Sequence, residues 1–165
     1  MSKTLPVKYR GHRFWAFDVV SRILLKHMID AATSPARRGV EAPWLIEAVA
    51  RWRVGAVISD LGFFLDETWS VAQIAVVVDV IDAACQVLEK RDGIPAAEIQ
   101  GWSILDDMRI FARGIPIVPV KPIIELGSGV IAILNGTLPK APPGTSWFYG
   151  TEDHPGTIRM RDSNG

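Results

Sequence analysis

Hydrophobic positions from Trp69 to Gly93 recur with helical spacing over a longer stretch than elsewhere in the chain. Ser70 and Gln73 have the spacing of a capping box, in which two side chains satisfy backbone donors that a helix start leaves free. Gly93 stands where a left-handed residue would end the helix. The pattern therefore predicts a helix over about residues 71–91.

This helix has little polar surface. Its first two turns are apolar nearly all round, and a helix of that kind must be covered by other elements, which predicts a central position in the fold. Asp79 and Asp82 share its narrow polar stripe. They are either solvated or buried as partners of arginines, and the burial of Asp79 decides between these alternatives.

Caps and spacing also predict helices in four other parts of the chain: over 12–32, from Pro43 to about 65, over 95–100 and over 122–135. In the first of these, Asp18, Arg22, Lys26 and Asp30 are predicted to form a solvated face. Residues 102–113 fit either a helix or two short strands. We expect an extended arm over 1–11, including a strand at LPVKY.

Two short aromatic or β-branched runs, separated by a Gly/Pro/Asp cluster, predict a β-hairpin over about 145–161. The length of 165 residues suits a single domain that spans 1–165. The expected fold is therefore mainly α: a bundle of five or six helices around helix 71–91, with a small C-terminal hairpin.

Composition narrows the classes of function. Eighteen acidic residues balance eighteen basic ones, so no overall basic excess favours nucleic-acid binding. The one cysteine, Cys85, excludes an internal disulfide and a multi-cysteine metal site. We expect no signal peptide, no membrane-spanning segment and a cytoplasmic protein, because the N-terminal residues lack an apolar core and charges interrupt the apolar runs.

Common catalytic motifs are absent: the sequence has no G-x-S-x-G, no phosphate-binding glycine loop and no H-E-x-x-H. We expect no cofactor and no metal ion. The glycine pair in LGSGV is interpreted as helix packing. Carboxylates are the remaining catalytic candidates, so a small enzyme that uses Asp79, Asp82, Asp106 or Asp107, with or without a divalent metal, is one alternative.

The leading prediction is a non-enzymatic protein-binding module, with a small bacterial immunity or antitoxin protein that blocks a toxin domain as its concrete form. Tryptophan and tyrosine are enriched at binding hot spots, and acidic residues lie close to a run of aromatic ones. The candidate partner-binding residues are Trp147, Tyr149, Glu152, Asp153, Asp106 and Asp107. Self-association as a homodimer or larger oligomer is the third alternative.

Overall fold

The computed structural model describes residues 3–37, 42–58, 61–152 and 154–160. About 49% of the chain is helical and 19% is in strands. The elements, in chain order, are β1 (Thr4–Tyr9), β2 (His12–Phe17), α1 (Asp18–Ala32), α2 (Pro43–Val57), α3 (Val71–Leu88), β3 (Gly93–Pro95), α4 (Ala96–Gly101), β4 (Ile117–Pro119), α5 (Val120–Leu134), β5 (Thr145–Tyr149) and β6 (Gly156–Arg159), with a short 3-10 turn at Pro35–Arg37.

Four strands form one mixed sheet in the order β1-β2-β5-β6, and β3 pairs with β4 in a second sheet. β2 runs parallel to β5, while β1 with β2 and β5 with β6 are antiparallel. The predicted hairpin is present as β5 and β6, but it is half of a larger sheet. The prediction of a mainly α helical bundle is therefore wrong, and the fold is mixed α and β.

The segment His12–Phe17 accounts for much of this error, because it was predicted as the start of a helix. Its burial alternates, with Phe14 and Ala16 fully buried and His12 and Arg13 exposed, which is the two-residue period of a strand. It pairs with β1 along its whole length and with β5 at Trp15. The strand at LPVKY is present as part of β1.

Helix α1 occupies the centre of the fold, where α3 was expected. Twelve of its fifteen residues are buried, and it contacts α2, α3, α5 and β2. Because neighbours surround it, Asp18 and Arg22 are buried instead of lying on a solvated face. Asp30 remains exposed, as predicted.

Helix α3 begins as predicted, with reciprocal bonds between Ser70 and Gln73 that form the capping box. It ends at Leu88, and Gly93 starts β3 instead of terminating the helix. Only one side of α3 packs on α1 and α5, while Val71 is 86% exposed and Val87 53% exposed. The central position predicted for this helix is therefore wrong.

The glycines of LGSGV allow α5 to pack closely on two sides. A Cβ at Gly127 would lie 2.7 Å from the Cys85 sulfur of α3, and a Cβ at Gly129 would lie 2.6 Å from the Tyr149 ring of β5. The helix-packing interpretation of this motif is confirmed. Helix α2 starts at Pro43 as predicted, but it ends at Val57 and not near residue 65.

Candidate functional site

The stretch 106–117 follows α4 and ends at the first residue of β4. Of the parts of the chain that the structure describes, it has the most closely spaced exposed large apolar residues along the sequence. The region 102–113 forms neither of the predicted alternatives, since its one regular feature is an isolated bridge between Leu105 and Met108. Met108, Phe111, Ile115 and Ile117 are 41%, 71%, 37% and 60% exposed, respectively. We call this stretch the 106–117 segment.

Buried residues and hydrogen bonds hold the 106–117 segment against the body of the protein. Ile110 is fully buried and Ala112 is 3% exposed, so side chains next to the exposed Phe111 point into the core. Arg109 Nη1 donates to the carbonyl oxygen of Gln100 at 3.0 Å. The exposed apolar groups are therefore presented by an anchored backbone.

An ion pair ties this segment to helix α1. Arg113 donates to Asp18 Oδ2 through Nε at 3.0 Å and through Nη2 at 2.7 Å. The other Asp18 oxygen, Oδ1, accepts the backbone N–H of Val19 in the first turn of α1. The Asp18 side chain is fully buried, and these bonds compensate its loss of hydration.

Backbone strain occurs at two positions in the 106–117 segment. Among the described residues, three non-glycine residues have positive φ, and two of them are Asp106 at 49° and Arg113 at 51°. Such conformations cost free energy and are found preferentially at functional sites, where the surrounding structure enforces them. The two strained residues therefore point to the 106–117 segment as a candidate site.

A cavity of about 350 Å3 adjoins this segment at the carboxyl ends of the parallel strands β2 and β5. Ile115 and Arg113 contribute to its wall, and the opposite walls come from the first turns of α1 and α5. Its lining is mainly apolar apart from the Asp18–Arg113 pair and Thr151. A cavity of this volume is large enough to hold an amino-acid side chain.

Of the predicted partner-binding residues, Asp106 and Asp107 lie in this segment. Both are exposed, and neither carboxylate has a partner among the described residues. The structure therefore brings them together with exposed apolar side chains that the sequence did not single out. In an extended chain, neighbouring side chains point to opposite sides. Treating this region as extended would therefore have predicted that Phe111 and its neighbours Ile110 and Ala112 differ in burial.

The hairpin residues have a different placement. Trp147 is half-buried and donates through Nε1 to the carbonyl oxygen of Pro139 at 2.7 Å, and Tyr149 is buried, with its ring 4.7 Å from that of Phe14. Glu152 is exposed and lies 3.3 Å from His154 Nε2. Asp153 lies outside the described residues. The two aromatic residues therefore serve the packing of the fold, whereas the carboxylate of Glu152 is exposed.

The aspartates of helix α3 are solvated. Asp79 and Asp82 are both exposed, so the alternative in which they are buried partners of arginines does not hold. In the described ranges, no group of three or more His, Cys, Asp or Glu side chains is placed to hold a metal ion. The arrangement thus gives the carboxylate-enzyme alternative no assembled site at Asp79, Asp82, Asp106 or Asp107.

A buried carboxyl group that the sequence did not reveal lies on α5. Glu125 is 7% exposed and accepts the backbone N–H of Gly150 at 3.0 Å through Oε1. Burial raises the pKa of Glu125 to about 7, although the Gly150 N–H and the charge of His154 lower it. One signal was available, because Glu125 is the only acidic residue in the apolar sequence of α5.

No protein-family model, no curated protein and no solved structure matches this chain. In the described part of the chain, α3 alone is long and apolar enough to cross a membrane by length and composition, with a mean hydropathy of 1.9 and 39% of its residues buried. A helix packed in a protein core meets the same criteria, so localisation stays a prediction.

Proposed function

We propose that this protein is a non-enzymatic protein-binding module that docks its partner on the 106–117 segment. One observation carries the proposal: large apolar side chains, led by Phe111 at 71% exposure, project from a backbone that buried residues and the bonds of Arg109 and Arg113 hold in place. Exposed apolar groups that cluster on a soluble surface are typical of interaction sites.

The bonds that hold the segment in place favour binding. Ordering a flexible loop costs about 0.5–1.5 kcal/mol for each immobilised side chain, and a preformed surface avoids part of this cost. Burial of a phenylalanine side chain contributes roughly 1.5–3 kcal/mol. Phe111 is therefore the expected hot spot, with Met108 and Ile117 as surrounding apolar contacts.

Charge indicates the kind of partner. Asp106 and Asp107 present two exposed carboxylates next to the apolar group, whereas Arg109 and Arg113 are bonded to the protein itself. A partner with an apolar pocket bordered by lysine or arginine is complementary to this surface. The concrete form of the proposal is a bacterial immunity or antitoxin protein, whose partner is a toxin domain.

A photo-crosslinking amino acid tests the surface directly. Placed at position 111 in the full chain, it should form one specific adduct in extracts of the producing cells. The same group at Val71 of α3, which is more exposed than Phe111, should not. The captured protein is then purified, and its dissociation constant is measured by titration calorimetry.

Phe111→Ser should weaken this binding by at least about tenfold, since hot-spot truncations cost about 2 kcal/mol or more. The double variant Asp106→Asn/Asp107→Asn should slow association and reduce its dependence on salt. Val71→Ser is the matched control and should leave the affinity unchanged. Equal affinity of the Phe111 and Val71 variants would contradict the proposal. A dimer mass in light scattering that Phe111→Ser abolishes would assign the surface to self-association.

A further inference from the structure

A groove of about 460 Å3 runs between α5 and the turn that follows β5. Tyr149, Ile124 and Pro155 give it apolar walls, and Ser128 adds a hydroxyl group. Lys121 and Glu125 complete the lining. This volume lies within the range of small-molecule sites, about 300–1,000 Å3. A mostly apolar lining with a few polar groups is also typical of such sites.

The polar group of interest in this groove is the carboxyl of Glu125, nine-tenths buried. Its Oε1 accepts the Gly150 N–H at 3.0 Å, but Oε2 is shielded from solvent and has no hydrogen-bond partner in the described part of the chain. Most buried polar atoms in proteins are hydrogen-bonded, and leaving one unpaired is costly. An unpaired oxygen on the side chain that lines a groove therefore indicates a bonding partner from outside the chain.

The ionisation of Glu125 determines which partner suits it. Burial holds the pKa of this carboxyl at about 7, so the charged and neutral forms coexist near neutral pH. The charged form needs a hydrogen-bond donor at Oε2, and the neutral form can use an acceptor. Hydroxyl and carboxamide groups provide both.

We propose that this groove binds a small organic molecule with a hydroxyl or carboxamide group on an apolar body, anchored by a hydrogen bond to Glu125 Oε2. The apolar body lies against the Tyr149 ring and Ile124, and Ser128 lies at the exposed side of the groove. Because Oε2 is shielded, binding requires that this oxygen become accessible from the groove. The Glu125–Gly150 bond links the carboxyl to a backbone amide that can report on binding.

Simple probes test this proposal on the intact protein. Phenol and benzamide carry the required groups, and toluene has a similar apolar body without them. Each is titrated into 15N-labelled protein, and the amide signal of Gly150 reports on the Glu125 bond. We expect saturable shifts at Gly150 and Tyr149 with phenol and benzamide, and at least tenfold weaker binding of toluene.

Three variants separate the anchoring role from a structural one. Glu125→Leu should reduce phenol and benzamide binding to the level of toluene. Ser128→Leu, at an exposed position, leaves Glu125 in place and fills the groove, so it should weaken all three probes at least tenfold. Asp79→Asn, which removes an exposed carboxylate on α3 outside the groove lining, is the control and should bind like the unmodified protein.

Several results would overturn the proposal. These are no saturable shift with phenol or benzamide, equal affinity for toluene, or binding that survives both Glu125→Leu and Ser128→Leu. A crystal structure in which an ordered water molecule bonds Oε2 and added phenol leaves that water in place would also overturn it, because a buried water would then be the missing partner.

Discussion

Replacement of Glu125 by glutamine should remove a pH dependence from the stability of this protein. The folded structure raises the pKa of this carboxyl from 4.5 to about 7, chiefly because burial disfavours its charged form. In the unfolded chain the group returns to its ordinary value. The folded state therefore holds the proton more tightly, and stability is lost as pH rises through this range.

The magnitude follows from the two pKa values. Each pKa unit corresponds to about 1.4 kcal/mol, so the ionised carboxyl lowers the free energy of unfolding by about 3 kcal/mol above pH 7. Glutamine stays neutral and keeps an oxygen for the Gly150 N–H. Glu125→Gln should thus match the parent protein within about 1 kcal/mol near pH 4.5 and be about 3 kcal/mol more stable near pH 8.

Denaturant unfolding at both pH values, followed by circular dichroism, measures this difference. Asp79→Asn is the matched control: it removes an exposed carboxylate from α3 and should change stability by less than about 0.5 kcal/mol at either pH. If the stability difference between Glu125→Gln and the parent were the same at both pH values, burial would not hold the proton on Glu125 and the reasoning would be refuted.

Three further substitutions test the packing and the caps, each by the midpoint of denaturant unfolding. Gly129→Ala should destabilise the protein by about 1–3 kcal/mol, since its Cβ would lie 2.6 Å from the tyrosine ring of β5. Its control, Gly101→Ala, meets no atom within 4 Å and should be neutral or stabilise the protein by about 0.5 kcal/mol. Equal effects of the two substitutions would contradict the close contact. Asp18→Asn should lower the free energy of unfolding by about 2 kcal/mol. This is less than the roughly 3–5 kcal/mol for breaking a fully buried ion pair, because the Arg113 side chain is 32% exposed. A change below about 0.5 kcal/mol would show that the ion pair contributes little. Ser70→Ala removes the capping hydroxyl of α3 and should cost about 1 kcal/mol, and an unchanged midpoint would mean that the cap is replaceable by water.

The features that the sequence predicted well are local. The capping box of Ser70 and Gln73, the start of α2 at Pro43 and the packing role of the LGSGV glycines depend on residues close in the chain. Their physical causes are backbone donors at a helix start, the fixed φ of proline and the small volume of glycine. Such causes act wherever the segment lies in the fold.

The position of each helix in the fold depended on tertiary structure. Helix α3 is more apolar in sequence than α1. Even so, α1 is the central helix, because α2, α3, α5 and β2 surround it. The apolar residues of the segment 12–17 fit the helical stripe that α1 continues, and they form a strand because β1 and β5 supply hydrogen-bond partners on both sides. Hydrophobic spacing alone cannot supply those neighbours, since β5 is more than 125 residues away.

The candidate sites divide in the same way. The sequence named Asp106 and Asp107 as candidate partner-binding residues and showed that common catalytic motifs are absent. The burial of Glu125 and the pairing of Asp18 with Arg113, 95 residues apart, were decided by tertiary structure alone. A carboxylate changes its pKa and its role when the chain around it excludes water, and that exclusion depends on residues distant in sequence.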